Sequence, residues 1–292
     1  MTRAIQYTNA AAAELLAAGV RRLKEMEASG PGATPALDAE LLLAQALGAS
    51  RARLRSHPEE IPPPDAARRF CAFIERRAAG EPIAYILGRK AFWTLELDVS
   101  PAVLVPRPET ELLVERALAL HPHPEAVVAD LGTGSGAIAL ALASARPGWR
   151  VTATDISAAA LAVARANALK LGLERVELIE ADWLQALTGR AFDLLLSNPP
   201  YIAADDPALR QLRSEPPLAL VAAEDGFAAL RSIIRAAPEH LRPGGWLLLE
   251  HAAAQAAAVA RELVARGFAQ VRSHRDLAGC ERMTEGQWPR HP

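Results

Sequence analysis

One segment near the middle of the chain restricts the fold more than any other. A short apolar strand from Val127 enters the glycine-rich turn Gly132-Thr133-Gly134-Ser135-Gly136, and an Ala/Leu-rich helix follows from Ala137. Glycines permit positive φ angles and let a ligand approach the backbone closely, while the helix presents its positive end to a carboxylate. The G-x-G-x-G spacing differs from the dinucleotide fingerprint G-x-G-x-x-G, which disfavours a pyrophosphate ligand. Taken alone, the turn is equally compatible with a tight strand-to-helix connection.

The pattern around this turn predicts an α/β fold with a second, helical domain. Strands and helices alternate from Val127 to the end of the chain, which predicts a Rossmann-like, mostly parallel sheet covered on both faces. Residues 1–80 show only helical patterns, and Pro31 and Pro62-Pro63-Pro64 break them. We expect a helical domain at 1–80, a β-hairpin linker at 81–108 and the sheet domain at 109–292.

A second motif, Asn198-Pro199-Pro200-Tyr201, follows the apolar run Phe192 to Leu196. Proline lacks the backbone N–H and fixes φ, so the strand stops there. The side-chain oxygen of Asn198 and a proline carbonyl can each accept one proton of an NH2 group, while Tyr201 packs on its flat carrier. Such an NH2 belongs to an amide or a nucleobase, so the motif indicates methyl transfer to planar nitrogen. The structural alternative is a strand end followed by a proline-rich loop.

Two further strand ends carry side chains suited to a nucleoside. Asp155 ends the strand after the glycine turn, where a carboxylate accepts both hydroxyls of a ribose. Asp182 and Trp183 follow the third strand, where the indole suits an adenine face and the carboxylate suits its amino group. Each has a structural alternative, Asp155 at the start of the helix Ala158 to Leu171 and Trp183 as a partly buried tryptophan beside a surface acid. Because all these features follow strands, we expect them at the carboxyl edge of the sheet, where open α/β sheets bind ligands.

With these motifs in place, the sequence resembles class I S-adenosylmethionine-dependent methyltransferases, and among them the release factor glutamine methyltransferases, the PrmC/HemK family. The resemblance covers nearly the whole chain. Besides the glycine turn and the Asn198 motif, it rests on the segments Glu81 to Gly88, Val105 to Glu111, Arg213 to Pro216, Pro243 to Glu250 and Asp276 to Gly279. One departure lies before Asp225, where the family usually has glycines and this chain has Val221 to Glu224.

The resemblance implies S-adenosylmethionine as the cofactor and S-adenosylhomocysteine as its product. The family's cofactor positions correspond to Gly132, Thr133, Gly134, Ser135, Gly136, Asp155, Trp183 and Asn198, to which the pattern of strand ends adds Asp182. The resemblance also implies that Asn198, Pro199, Pro200 and Tyr201 bind a substrate amide. It implies that this amide is the glutamine side chain in the Gly-Gly-Gln motif of class 1 peptide chain release factors, and that the helical domain docks this partner.

The chemistry of an amide explains which residues we expect to be catalytic. Its nitrogen is a poor nucleophile, and hydrogen bonds from its N–H protons to the Asn198 oxygen and the Pro199 carbonyl push electron density back onto it. The protein must otherwise orient the amide in line with the methyl group and exclude water. No strong base is required, because the N-alkylated amide cation is very acidic. We therefore expect Asn198, Pro199 and Tyr201 to be catalytic and His251 to be structural.

Some roles and rival functions remain open in the sequence. Glu109 and Glu111 follow Pro108, where they either stabilise the start of a helix through Ala119 or reach the site. A ribosomal-protein glutamine methyltransferase would use the same tetrapeptide. A DNA adenine N6 methyltransferase would need base flipping and a basic groove, yet the net charge is −2. A noncatalytic binding module on this fold would predict a damaged glycine turn, and the turn is intact.

Composition bounds the remaining expectations. The length of 292 residues suits two domains of about 100 to 200 residues each. Cys71 and Cys280 lack the spacing of metal ligands, and no stretch approaches the roughly 20 apolar residues that span a bilayer. We expect a cytoplasmic monomer that binds no metal, no membrane and no specific nucleic acid sequence.

Overall fold

The computed structural model describes residues 10–25 and 34–290. By its internal contacts the chain divides into two compact units, Met1–Gly88 and Arg89–Pro292. The predicted break at Pro31 and the outer ends of the predicted domains at 1 and 292 lie outside the described residues.

The described part of the first unit is helical. Its helices are α1 (Ala12–Glu25), α2 (Pro35–Leu47), α3 (Arg51–Ser56), α4 (Pro64–Ala78) and α5 (Ile83–Leu87). Proline near the first position of α2 and α4 suits a helix start, because its missing N–H has no partner there in any case. α1 and α4 approach closely at Gly19, where a Cβ would lie 2.8 Å from Cζ of Phe70. Buried Leu15, Leu42 and Ile74 complete this core.

The second unit begins with a hairpin of two antiparallel strands, β1 (Arg89–Phe92) and β2 (Leu95–Asp98). Trp93 lies in the turn with a φ of 55°, in the left-handed region. α5 and this hairpin both fall within residues 81–108, the predicted linker.

The rest of the second unit is a seven-stranded sheet with flanking helices, which confirms the predicted fold class. Its strands are β3 (Val127–Leu131), β4 (Arg150–Asp155), β5 (Glu177–Glu180), β6 (Phe192–Ser197), β7 (Leu241–Glu250), β8 (Ala269–Arg275) and β9 (Glu281–Gln287). The helices are α6 (Glu111–Leu120), α7 (Ala137–Ala145), α8 (Ala158–Leu171), α9 (Ala223–Gly226), α10 (Ala228–Ala236) and α11 (Ala256–Arg266). The strand order is β5-β4-β3-β6-β7-β9-β8, parallel from β5 to β7 and antiparallel at β9 and β8.

The core of this unit lies on both faces of the sheet. Along β6, Leu194 and Leu196 belong to one buried cluster and Leu195 to the other, because successive side chains of a strand point to opposite faces. Burial of each such leucine contributes roughly 1.5–3 kcal/mol. Strands that are buried on both faces leave only their ends accessible to a ligand. Because β3, β4, β6 and β7 run parallel, their carboxyl ends lie at one edge of the sheet.

Candidate active site

A cavity of about 410 Å³ opens at this carboxyl edge. The predicted site residues that line it are Gly132, Thr133, Gly134, Ser135, Asp155, Asp182, Trp183, Asn198 and Pro200. Gly136, Pro199 and Tyr201 are not among the described residues that line it. The volume lies within the roughly 300–1,000 Å³ typical of sites for small molecules. The structure therefore brings most of the predicted residues to one place.

The glycine turn takes its shape from left-handed backbone at three positions. The φ angles are 75° at Gly132, 56° at Gly134 and 85° at Gly136. The carbonyl of Thr154 accepts from the N–H groups of Gly132 and Thr133, both at 2.9 Å. The N–H groups of Gly134 and Gly136 also donate within the chain. The turn thus offers a ligand close approach to the backbone, while most of its N–H groups are used internally.

Gly136 has a structural task in this turn. A Cβ there would lie 2.9 Å from Cδ1 of Leu140 in α7, and its φ of 85° lies in the left-handed region, so both the packing and the backbone at the start of α7 favour glycine.

Asp130, inside β3, is a residue that the sequence pattern did not single out. It is fully buried, and its Oδ2 accepts from the Thr133 hydroxyl at 2.6 Å and from the Ala139 N–H at 3.2 Å. Burial raises the pKa of this carboxyl to about 7. The available signal was an acid within an apolar strand directly before the glycine turn. Asp130 ties the turn to the first residues of α7.

Asp155 lies at the start of a helix, as one of the two readings of the sequence predicted, and it also lines the cavity. Its Oδ1 accepts from the Ser157 N–H at 2.9 Å, next to the start of α8, and its Oδ2 accepts from the Gly134 N–H at 2.8 Å. Burial raises the pKa of the carboxyl. Each oxygen has a second lone pair, and the residue lines the cavity. The side chain is therefore fixed by backbone donors and still able to accept from a ligand.

Trp183 lies against the glycine turn. A Cβ at Gly132 would lie 3.0 Å from Cζ3 of its indole, which makes glycine a requirement for this packing. The carbonyl of Trp183 accepts a hydrogen bond from the Thr154 hydroxyl at 3.0 Å. The φ angle of Trp183 is 50°, in the left-handed region. Strained backbone of this kind concentrates at functional sites. The carboxylate of neighbouring Asp182 accepts from Gln185 at 3.0 Å.

Asn198 follows β6 and also lines the cavity. Its Nδ2 donates to Oγ1 of Thr110 at 3.1 Å, across 88 residues of sequence. Thr110 is 4% exposed and ends the short 3₁₀ helix Pro108–Thr110. Both residues line the cavity. With the nitrogen committed to Thr110, the Oδ1 of Asn198 is the end of the amide left to accept from a ligand.

Glu250, the last residue of β7, lies behind Asn198. It is 1% exposed, its Oε1 accepts a hydrogen bond from the Tyr201 hydroxyl at 3.3 Å, and its buried Oε2 has no hydrogen-bond partner among the described residues. Burial raises the pKa of this carboxyl to about 7, against the opposing effects of Thr110 and the nearby Arg282 cation. Nothing in the local sequence pattern singled out Thr110 or Glu250 as part of the site, because the contacts that join them are distant in sequence.

Tyr201 and Pro199 form the wall behind the cavity lining. Pro199 is buried, and the Tyr201 carbonyl accepts from Nε2 of Gln255 at 3.1 Å. Burial raises the pKa of the Tyr201 phenol, with the nearby Glu250 charge adding to the effect. The contact predicted between the Tyr201 ring and a substrate stays a prediction.

The segment at 221–226, which includes α9, also borders the cavity, through Ala222 and Ala223 among others. Glu224 and Asp225 have φ angles of 55° and 54°, conformations that side-chain-bearing residues rarely adopt. These positions adjoin the departure from the family noted above. Both residues adopt this left-handed backbone although neither is glycine, which implies local strain of about 1–3 kcal/mol per residue.

The acidic residues Glu109, Glu111 and Glu215 differ in their burial and in their hydrogen-bond partners. Glu111 accepts from the Trp93 N–H at 2.9 Å and so holds the hairpin turn, while Glu109 is exposed. Glu215 is buried, accepts from the Val105 N–H at 3.0 Å and pairs with Arg107, which lines the cavity. These are structural contacts around the cavity mouth.

His251 is buried as a structural residue would be. Its ring nitrogens lie 3.0 Å from the Ala252 carbonyl and 2.7 Å from the Thr284 hydroxyl, and burial lowers its pKa. Within residues 10–25 and 34–290, no cluster of His, Cys, Asp or Glu suits a metal ion. In the same ranges no helix is both long and apolar enough to traverse a bilayer.

Two family models match the chain. Residues 14–88 match the PrmC N-terminal domain, and residues 108–213 match the methyltransferase small domain.

Solved structures support the fold. A methyltransferase from Pyrococcus furiosus aligns with a TM-score of 0.52 and 20% identity over 68% of this chain and 92% of that one. The T. thermophilus 16S rRNA N2 G1207 methyltransferase in complex with AdoMet and guanosine aligns with a TM-score of 0.52 and 20% identity, over 68% of this chain and 49% of that one.

Curated relatives are similar over almost their whole length. The release factor glutamine methyltransferase of Pseudomonas aeruginosa is 55% identical over 254 residues, which are 86% of this chain and 92% of the relative. The protein of the same name from Xylella fastidiosa strain Temecula1 is 49% identical over 278 residues, 94% of this chain and 97% of the relative. The chain therefore belongs to the release factor glutamine methyltransferase family.

Proposed function

We propose that this chain transfers the methyl group of S-adenosylmethionine to the side-chain amide nitrogen, N5, of the glutamine in the Gly-Gly-Gln motif of class 1 peptide chain release factors. Within the family, one observation carries the proposal. Asn198 lines the cavity with its Nδ2 committed to Thr110, so its Oδ1 is free to accept from a substrate NH2 group.

The part of the cavity lined by the glycine turn, Asp155 and Trp183 suits S-adenosylmethionine, which supplies a methyl group activated on a sulfonium. Asp155 would accept from the ribose hydroxyls, with its carboxylate already fixed by two backbone N–H groups. Trp183 would face the adenine and Asp182 its amino group, while the glycine turn admits the methionine portion close to the backbone. The close packing of Trp183 on Gly132 shapes this half of the cavity for a flat group.

On the acceptor side, the substrate amide would donate one proton to the Asn198 oxygen and the other to the Pro199 carbonyl. These bonds strengthen as positive charge develops on the nitrogen, so they favour the transition state over the ground state. Pro200 lines the cavity and limits how the amide enters, while Tyr201 supports the wall from behind. The amide proton then leaves to water or to the same acceptors, without a strong base.

The proposal also covers the partner and the setting. The helical residues 1–80 would dock the release factor, residues 81–108 would link the domains, and residues 109–292 would carry the chemistry. The chain would act as a monomer in the cytoplasm, where both cysteines remain the free thiols that the structure shows.

The test is methyl transfer from labelled S-adenosylmethionine to a purified release factor. Parallel reactions would contain the same factor with its motif glutamine replaced, a ribosomal protein preparation and adenine-containing DNA, with the modified site mapped by mass spectrometry. We expect label on the motif glutamine only. Label on DNA or on a ribosomal protein, with none on the release factor, would contradict the proposed substrate.

A further inference from the structure

Two segments that line the cavity are hydrogen-bonded to each other. One is the Asn198 motif with the next residue, Ile202, and the other is segment 221–226. The N–H group of Ile202 donates to the Leu220 carbonyl, just before segment 221–226, and the N–H group of Ala222 donates to the Ile202 carbonyl, both at 3.0 Å. The two segments contribute these residues to the cavity lining: Asn198, Pro200, Val221, Ala222 and Ala223. The way in which the segments pack together therefore shapes the cavity.

The packing is closest at Gly226. A Cβ there would lie 2.3 Å from the carbonyl oxygen of Tyr201, and the φ angle of Gly226 is 84°, in the left-handed region. Both the close approach and the backbone conformation require glycine. A carbonyl oxygen that is covered by neighbouring backbone needs a hydrogen-bond donor from the protein.

Gln255, the last residue before α11, supplies that donor. Its Nε2 donates to the Tyr201 carbonyl at 3.1 Å and to the Gly226 carbonyl at 3.2 Å, and its Oε1 accepts from the Ala252 N–H at 3.0 Å. An amide NH2 group has two protons, so both are used. If the amide were reversed, its oxygen would face two carbonyl oxygens and its NH2 group would face an N–H group. These partners therefore allow one orientation, in which Gln255 links the two segments.

The link also reaches strained backbone. Glu224 and Asp225, with φ angles of 55° and 54°, directly precede Gly226. Strained backbone persists only where the surrounding contacts determine its conformation. Before the strained pair, the Ala222 N–H donates to a backbone carbonyl, and after it the Gly226 carbonyl accepts from Gln255. The strained pair is therefore fixed at both ends by contacts outside it.

We propose that Gln255 is a positioning residue that holds the Asn198 motif against segment 221–226 and so fixes the oxygens that accept from the substrate amide. The bond from Asn198 to Thr110 anchors the first residue of the motif, and the bond from Gln255 anchors the carbonyl of its last residue, Tyr201. Gln255 is not among the described residues that line the cavity, so it acts through the motif. This inference rests on the proposed function for the identity of the substrate, but the link itself is measurable without any substrate.

The first test compares Gln255→Glu with Gln255→Met at about pH 8, where glutamate is ionised. Glutamate keeps the size and the acceptor for the Ala252 N–H but loses both donors, while methionine keeps the length and loses all three bonds. We expect kcat to fall by about tenfold to a hundredfold in both variants, because a small displacement of groups that orient the substrate is costly. Affinity for S-adenosylmethionine, measured by calorimetry, should change less than about threefold.

Three outcomes of this comparison would overturn the proposal. Wild-type kcat in Gln255→Met would show that the three bonds do not matter for turnover. A loss of kcat confined to Gln255→Met would place the effect at the bond to Ala252. A loss of cofactor affinity as large as the loss of kcat would show a general distortion of the cavity.

Gln287 provides a matched control. It is half-buried like Gln255, and its Nε2 donates to the Gly244 carbonyl at 2.9 Å. It is the last residue of β9, which runs antiparallel to β7, so it lies away from the carboxyl edge of the sheet. The kcat of Gln287→Glu should stay within about twofold of wild type, because the lost bond shares no partner with the cavity residues. A loss equal to that of Gln255→Glu would contradict a specific role for Gln255.

Hydrogen exchange of the full chain, measured by mass spectrometry, tests the link without turnover. We expect peptides that cover residues 201–203 and segment 221–226 to exchange at least about tenfold faster in Gln255→Glu than in wild type, and to be unchanged in Gln287→Glu. Peptides from β6 report global stability. Unchanged exchange in both segments, or equal acceleration in β6, would refute the proposed link. Faster exchange in these segments alone, in a protein whose wild-type form leaves release factors unmodified, would uphold the link and reject the proposed function.

Discussion

The two walls of the cavity are built by different means. The wall proposed to bind the cofactor, hereafter the cofactor wall, is made of Gly132–Ser135, Asp155 and Trp183 and is held mainly by backbone hydrogen bonds between neighbouring strand ends. The wall proposed to hold the substrate amide, hereafter the acceptor wall, is formed by Asn198 with Thr110 and by Tyr201 with Glu250, and these pairs of side chains meet across long stretches of sequence. Backbone geometry therefore shapes the wall proposed to bind the cofactor, while the polarity of buried side chains shapes the wall proposed to hold the substrate amide.

Asn198→Ala should show the largest difference between the two walls, because it should change turnover and leave cofactor affinity nearly unchanged. We expect turnover to fall by roughly tenfold to thousandfold, because one preorganised polar contact to the reacting group is lost. Calorimetry should show S-adenosylmethionine affinity largely intact, since the cofactor wall is unchanged. Near wild-type turnover would remove Asn198 from the acceptor role.

Asp155→Ala should give the opposite result. Loss of a charged acceptor for the ribose hydroxyls should weaken S-adenosylmethionine binding by about tenfold to a hundredfold, measured by calorimetry. Turnover at saturating cofactor should change much less. Unaltered cofactor affinity would exclude the ribose role and leave Asp155 as a residue that only orders Ser157 and Gly134.

Gly132→Ala tests whether the cofactor wall depends on backbone geometry. The new Cβ would meet the Trp183 ring at 3.0 Å in a left-handed conformation, so we expect unfolding free energy to fall by about 1–3 kcal/mol and cofactor affinity to fall severalfold.

Gly172→Ala is the matched control, because its φ of 66° is similar and a Cβ there meets nothing within 4 Å. It should show the cost in stability alone, measured by chemical denaturation. Equal effects of the two substitutions on cofactor affinity would contradict a specific role for the Gly132–Trp183 contact.

Glu250 in the acceptor wall should make the free energy of unfolding depend on pH. Burial raises the pKa of Glu250 from its ordinary value of 4.5 to about 7, so the folded state favours the protonated form. Its contribution is therefore fully present below about pH 4.5 and is lost as pH rises towards 7. The free energy of unfolding of Glu250→Gln minus that of wild type should increase by about 1–3 kcal/mol between pH 5 and 8.

Several groups face this carboxyl and set its pKa, namely Thr110, Tyr201, Arg282 and Glu109. Asp130 titrates in the same range but lies in β3, so the same comparison made with Asp130→Asn separates its contribution. A difference between Glu250→Gln and wild type that is constant with pH would contradict the raised pKa.

The sequence predicted that the residues of the proposed cofactor wall lie together, because the signals that mark them are local. A strand, a glycine turn and the acid that ends the next strand lie in order along the chain, and parallel strands bring their carboxyl ends together. The fold class followed from the same alternation. The acids Glu109 and Glu111 looked equivalent in sequence, yet Glu111 holds the Trp93 turn while Glu109 is exposed.

The acceptor wall was only half predictable. The Asn198 motif signals its own chemistry, because the prolines end a strand and leave acceptors free. Thr110 and Glu250 carry no local signal, since their partners lie far along the chain and their importance comes from burial. The left-handed backbone at Glu224 could not be predicted from the sequence either, because the usual sequence signal for a positive φ is glycine.

A crossed measurement on Asn198→Asp and Asp155→Ala tests the division between the walls. Aspartate keeps an acceptor oxygen but loses the Nδ2 donor that anchors Asn198 to Thr110. Cofactor affinity and single-turnover methylation of a release factor at saturating S-adenosylmethionine would be measured for both variants. We predict that Asn198→Asp loses rate and keeps affinity, while Asp155→Ala loses affinity and keeps most of the rate. Both variants losing both properties in parallel would contradict the separation of a cofactor wall from an acceptor wall.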